Sequence, residues 1–156
     1  MRRLNGIVWV FLLVEFIDEL TYGANEAAWP LIRRDLGLSY TQIGLLLSIP
    51  NLFGSLVEPA LGVLGDTRWR RTIVLTGGVV FAVTLAGVAG AWCFPVMLAA
   101  LLLHYPASGG FVNLAQAELM DVAPDRRDQN MARWTAAGSL GVVVGPLILG
   151  GACLIG

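Results

Sequence analysis

The sequence predicts an all-α, polytopic membrane protein with five transmembrane helices. Three observations predict it. Hydrophobic residues fill 56% of the 156 positions and charged ones only 13%, with a mean hydropathy of +0.72; soluble domains carry about 25% charged residues. The charges are gathered into short polar stretches that separate long apolar ones. One of these, Gly62-Val63-Leu64-Gly65-Asp66-Thr67-Arg68-Trp69-Arg70-Arg71, holds three arginines within four residues, which hydrocarbon cannot accommodate.

The first apolar stretch follows Arg2 and Arg3 and resembles the start of a signal peptide. It continues into Glu15, Asp18 and Glu19 without an A-x-A cleavage site, and further apolar segments follow. This reads as a first transmembrane helix over residues 6–32, somewhat longer than the ~20 residues needed to span. Arg33-Arg34-Asp35-Leu36-Gly37 forms a loop. Ser39 or Thr41 can cap a second helix over 41–65, which carries Pro50 and Pro59; in a membrane such prolines kink a helix, and its neighbours satisfy the freed carbonyls. A third helix, 72–92, contains four glycines and no charge. Cys93-Phe94-Pro95 turns the chain into a fourth helix over 96–120. The polar loop 121–128 leads to a fifth over 130–155.

All ten basic residues are arginines, and their distribution sets an expected orientation. Eight lie at the N-terminus, in the loop after the second helix, or in and beside the loop after the fourth. Only Arg33 and Arg34 lie on the other side. Arginine excess marks the cytoplasmic face, so the N-terminus is expected inside. The net charge of −1 argues against nucleic acid as a partner. Cys93 and Cys153 form no CxxC pair. They read as two apolar packing thiols in preference to a disulfide.

The first helix carries the unusual chemistry. Glu15, Asp18, Glu19, Tyr22, Asn25 and Glu26 recur at spacings of three and four and fall within an arc of about 120°. An acid at a helix centre costs about 2.5–3.5 kcal/mol on insertion scales, so four facing lipid would cost roughly 10 kcal/mol. That arc is expected to line water or protein. Carboxylates crowded in a poorly solvated place do not all ionise together, which suits a proton carrier. Asp18 and Glu19, near the expected mid-depth, are the preferred candidates. The alternative is that these acids pair with arginines or helix ends.

A matching face on the second helix holds Ser48, Asn51, Ser55, Glu58 and Gly62. Glu58 either adds a cavity acid or covers the Pro59 kink. The fourth helix holds the only histidine, His104, which is either a proton relay or a hydrogen-bonded packing residue. No second His or paired Cys accompanies it, so no metal is expected. A Ser nucleophile with a base at fixed spacing is missing, so no enzyme activity or cofactor is expected. In the fifth helix Ala137, Gly141 and Gly145 recur at every fourth position, followed by Pro146 and Gly150-Gly151; small residues so spaced let another backbone approach.

Together these residues resemble the major facilitator superfamily of secondary transporters. Gly62, Asp66, Arg70 and Arg71 match that family's signature between helices two and three, with Thr67 where a basic residue is usual and Trp69 where a glycine is usual. Asp121-Val122-Ala123-Pro124 with Arg126-Arg127 is similar to its loop after helix four. Gly141, Gly145-Pro146 and Gly150-Gly151 resemble the fifth-helix motif of its exporters, with one extra residue before the glycine pair. Gln42-Ile43-Gly44 and Glu58-Pro59 are similar to the fosmidomycin-resistance-type efflux branch.

The resemblance implies a partial N-terminal six-helix bundle: five of twelve helices, with a second half that would complete a mid-membrane site. It implies proton-coupled export of a small molecule by alternating access in a prokaryotic inner membrane, with the proton gradient as the driving force. The expected partners are the lipid bilayer, a small-molecule substrate and the remaining half of the same protein. A solute-uptake permease and a non-transporting membrane module are the alternatives.

Overall fold

The computed structural model describes residues 2–155, with side chains from Gly6 onward. The side chains of Arg2 and Arg3, on which part of the orientation count rests, and Gly156 lie outside the described residues. The described residues are helical and contain no strand. The five long helices are Arg2–Asp35, Tyr40–Gly65, Arg70–Ala89, Phe94–Val122 and Arg127–Ile155. A one-turn 3-10 helix, Pro124–Arg126, precedes the fifth.

The boundaries follow from local chemistry. The first helix runs three residues beyond its expected end. Gly37, at φ +62°, closes it by letting the Leu38 and Gly37 amides donate back to the carbonyls of Arg33 (2.9 Å) and Arg34 (3.3 Å). Of the two candidate caps, Ser39 starts the second helix: the Gln42 amide donates to Ser39 Oγ at 3.2 Å, and the Ser39 amide donates to Gln42 Oε1 at 2.9 Å. The third helix starts two residues earlier and stops three residues earlier than expected, at Ala89. Phe94 and Pro95, expected in a turn, already belong to the fourth helix. Cys93 is its extended N-cap, and proline is favoured in a first turn because its missing N–H would find no partner there. Residues 127–129, expected outside the fifth helix, form its first turn.

The fourth helix is not regular throughout. A π-helical segment, Gly109–Asn113, begins three residues after Pro106. By contrast, the second helix continues as α-helix through both Pro50 and Pro59.

The chain divides into two compact units. One contains the first helix up to Pro30 and the chain from Ala115 onward; Leu12, Ala115, Leu119 and Trp134 are buried in it. Asn130, 1% exposed, donates its Nδ2 to the Leu119 carbonyl at 3.4 Å, joining the start of the fifth helix to the end of the fourth. The other unit, Leu31–Leu114, packs the second, third and fourth helices around Leu46, Phe81, Val88, Met97 and Leu101.

Four of the five long helices, all but the first, are both long and apolar enough to cross a membrane. The first helix has the length, about 51 Å at 1.5 Å per residue. Its acids keep it outside that composition.

Candidate functional site: a carboxylate pair on a glycine seam

In the first unit, the acidic face of the first helix meets the fifth helix along a seam of glycines. A side chain at Gly145 would overlap the Leu20 carbonyl oxygen and lie 2.7 Å from the Ala24 nitrogen. One at Gly141 would lie 2.6 Å from the Phe16 oxygen. The first helix contributes Gly23, whose missing Cβ faces the Val142 oxygen at 2.7 Å and Pro146 Cδ at 3.1 Å. The two backbones approach this closely only because no side chain stands between them. The stripe in contact is Gly138, Gly141 and Gly145, all buried. Ala137, expected on it, is half-exposed. Gly150 and Gly151, expected in the packing motif, have open space where a side chain would go.

Two carboxylates occupy this seam. The Cβ position of Gly138 lies 2.5 Å from Glu15 Oε1 and 3.3 Å from Glu19 Cγ, and that of Gly141 lies 3.0 Å from Glu19 Cβ. Glu15 is 8% exposed and Glu19 is half-buried. They stand one helical turn apart, at i and i+4, which puts both on one face. The facing helix carries no charged residue after Arg133. Among the described residues no cation pairs with Glu15. Asp18 is half-buried, and its backbone carbonyl accepts from Thr21 Oγ1 at 2.8 Å. Tyr22 and Glu26, on the same acidic arc, are exposed. Along the helix axis the arc therefore has a packed part, Glu15 and Glu19, followed by an open part, Tyr22 and Glu26. Glu15 carries more of the seam than its position in the sequence suggests; the only signal for it was its i, i+4 relation to Glu19.

The second unit holds the other candidates. The Glu58 side chain lies over Gly109, with Oε1 2.9 Å from where a Cβ would stand, at the start of the π-segment. Asn51 is exposed on the second helix. His104 is 9% exposed; its Nδ1 lies 3.1 Å from Thr84 Oγ1 and its ring 4.8 Å from the Phe81 ring. The Thr84 hydroxyl also reaches the Val80 and Phe81 carbonyls at 2.8 and 3.0 Å. These contacts join the third and fourth helices.

The arginine turn is built as a hydrogen-bonded unit. Thr67 Oγ1 donates to the Leu64 carbonyl at 2.6 Å and accepts from the Trp69 amide at 3.2 Å. Asp66 is the C-cap of the second helix. A carboxylate there opposes the helix dipole, and Arg70 compensates, with Nη2 3.6 Å from Asp66 Oδ1 while its Nε donates to the Gly65 carbonyl at 2.8 Å. Arg71 is exposed. Gly62 has open space around it; the glycine that the packing requires is Gly65, where a side chain would overlap Leu114.

Long apolar helices joined by short polar turns define a multi-pass integral membrane protein. The Major Facilitator Superfamily sequence model matches residues 11–156, and the chain belongs to that family. It is 24% identical over 148 residues to the quinolone resistance protein NorA of Staphylococcus aureus (strain MRSA252), covering 94% of this chain and 38% of that protein. It is 31% identical over 138 residues to the MFS-type transporter R5 of Phoma sp. (strain ATCC 20986 / MF5453), covering 86% of this chain and 26% of that protein. The chain thus spans less than two-fifths of the length of these relatives.

Proposed function

We propose that the protein acts as a secondary active transporter that exports a small molecule by alternating access, driven by proton entry, with Glu15 and Glu19 as the proton-coupling pair. The observation that carries this reading is the seam: two carboxylates pressed against glycines of a helix that carries no charge beyond Arg133. Charges so placed are expensive unless neutralised, and a proton is the smallest neutralising ligand. Protons load the pair when the site opens outward and leave when it opens inward. Proton binding then biases the two states by its differential affinity for them. Kinship with a protein named for quinolone resistance supports export of a small organic molecule. Within this reading the N-terminus is cytoplasmic, the membrane is a prokaryotic inner membrane, and a second half of the protein completes the cavity. The protein needs no cofactor and performs no enzymatic reaction.

The test is transport by the protein expressed from the complete reading frame, reconstituted in liposomes. With one proton per cargo molecule, one pH unit sustains about tenfold accumulation. Cargo that only equilibrates, whatever the gradient, overturns the proton-coupled reading.

The turn supplies a second expectation. Asp66 is 84% exposed, so its pair with Arg70 adds at most about 1 kcal/mol to stability. Asp66→Asn should therefore leave membrane abundance near wild type and cut transport by the complete protein. Equal loss of both would give Asp66 a folding role instead.

A further inference from the structure

The π-segment Gly109–Asn113 is the one departure from α-geometry inside a long helix among the described residues, and the transport reading does not use it. Its flanks are irregular as well. The Gly109 amide is shared between the Pro106 and Tyr105 carbonyls, and the Leu114 amide donates to the Phe111 carbonyl, three residues back. π-turns are rare, and each of their bonds closes over one residue more than in an α-turn. Gly-Gly-Phe-Val-Asn contains no strong helix former, so local propensity does not hold this shape.

On one side the segment rests on the third helix. A side chain at Gly77 would lie 3.1 Å from the Phe111 nitrogen and 3.2 Å from the Ala107 oxygen. The Phe111 ring lies 3.0 Å from where a Cβ of Gly78 would stand, and its centroid is 5.8 Å from that of Phe81. Elsewhere there is room. An apolar groove of about 310 Å³ is lined by Pro106, Ala107 and Gly110 of this helix and by Phe53, Leu61 and Ile73 of its neighbours, among others. A side chain at Gly110 would make only ordinary contacts, with Ile73 Cγ2 and Leu61 Cδ1 at 3.4 Å. One turn upstream, Pro106 has no amide to offer the Leu102 carbonyl. An extra residue leaves a helix one α-type bond short wherever it sits, and at Pro106 the ladder is short already. The helix therefore has two neighbouring places that tolerate a wide turn.

We propose that Gly109–Asn113 is a conformational joint, in which the wide turn moves between the place seen here and the turn at Pro106 while both ends of the helix keep their register. Each residue that the wide turn passes rotates by about 100°. That rotation takes Phe111 off Gly78 and Phe81, and the groove beside Gly110 gives the backbone space to move. The fourth helix can then change its course without unpacking its ends. The part of this joint in alternating access rests on the transport reading; the motion itself does not.

The experiment is fluorine NMR of the complete protein in detergent, with 4-fluorophenylalanine at position 111. Ring flips leave the para position in place, so each signal reports one placement of the backbone. Wild type should give two signals, or one broadened by exchange. Deletion of Gly110 removes the extra residue and leaves an α-helix in register at both ends, so one sharp signal should remain. Gly77→Ala presses a methyl group on the Phe111 nitrogen and the Ala107 oxygen, and should shift the ratio toward the weaker signal by about fivefold or more, the factor that matches the smallest overpacking cost. A single unbroadened signal in wild type overturns the proposal. So does a ratio that Gly77→Ala leaves unchanged. Two signals that persist after the deletion, in protein with the wild-type thermal midpoint, also overturn it, since Phe111 would then be sensing motion elsewhere. These signals need neither cargo nor a gradient, so their failure is separate from failure of the transport reading. Counterflow of cargo should be lost in the deletion variant; wild-type counterflow there overturns the part of the joint in transport.

Discussion

Glu15→Gln and Glu19→Gln should each bring gradient-driven accumulation down to the level seen without a gradient, while passive exchange of cargo across the liposome membrane continues. Glutamine keeps the shape of a protonated glutamate but can neither bind nor release a proton. Both side chains meet the fifth helix at Gly138, and Glu19 also meets it at Gly141. A neutral amide there should preserve the packing. Exchange should persist because alternation between states does not require a net proton movement, whereas uphill transport does. Asp18→Asn extends the test along the same helix, since the sequence places Asp18 beside Glu19. The measurement is cargo accumulation with and without a pH gradient, paired with counterflow at equal pH. If all three variants, singly and together, still accumulate cargo in response to the gradient, these acids are structural and the coupling assignment is wrong.

Gly145→Ala should be the most damaging single methyl in the fifth helix. The added carbon would overlap the Leu20 carbonyl oxygen and lie 2.7 Å from the Ala24 nitrogen. Both obstacles are backbone, so no side chain can turn aside and the two helices must separate. Overpacking of this kind costs about 1–3 kcal/mol. Gly23→Ala should have a similar effect from the other side, against the Val142 oxygen at 2.7 Å. Gly150→Ala is the control in the same helix. It meets open space, so the change should be neutral or stabilising by up to about 1 kcal/mol, because alanine is the better helix former. Thermal unfolding of the detergent-solubilised protein separates the cases. Equal midpoints for Gly145→Ala and Gly150→Ala would mean that the seam does not hold the first helix to the fifth.

The sequence by itself determined the helical class, the number of long helices and their ends to within a few residues. These depend on local causes: apolar length, the Ser39 cap, the charged turn around Asp66, and the polar stretch near Pro124. It also determined that the acids of the first helix share an arc, because helical periodicity fixes relative angle. Only the tertiary structure decided what that arc meets. Periodicity gives a face but not the partner, and Ala137 and Gly138 differ by one residue, or 100° of helix. The crossing geometry of the first helix selected Gly138, left Gly150 and Gly151 in open space, and placed Glu15 beside Glu19. The same holds for His104, whose partners Thr84 and Phe81 lie on another helix some twenty residues away in sequence. It holds too for Glu58, which covers the π-segment that follows Pro106. A side chain's environment is set by whichever backbone packs against it, and that neighbour comes from a distant part of the chain.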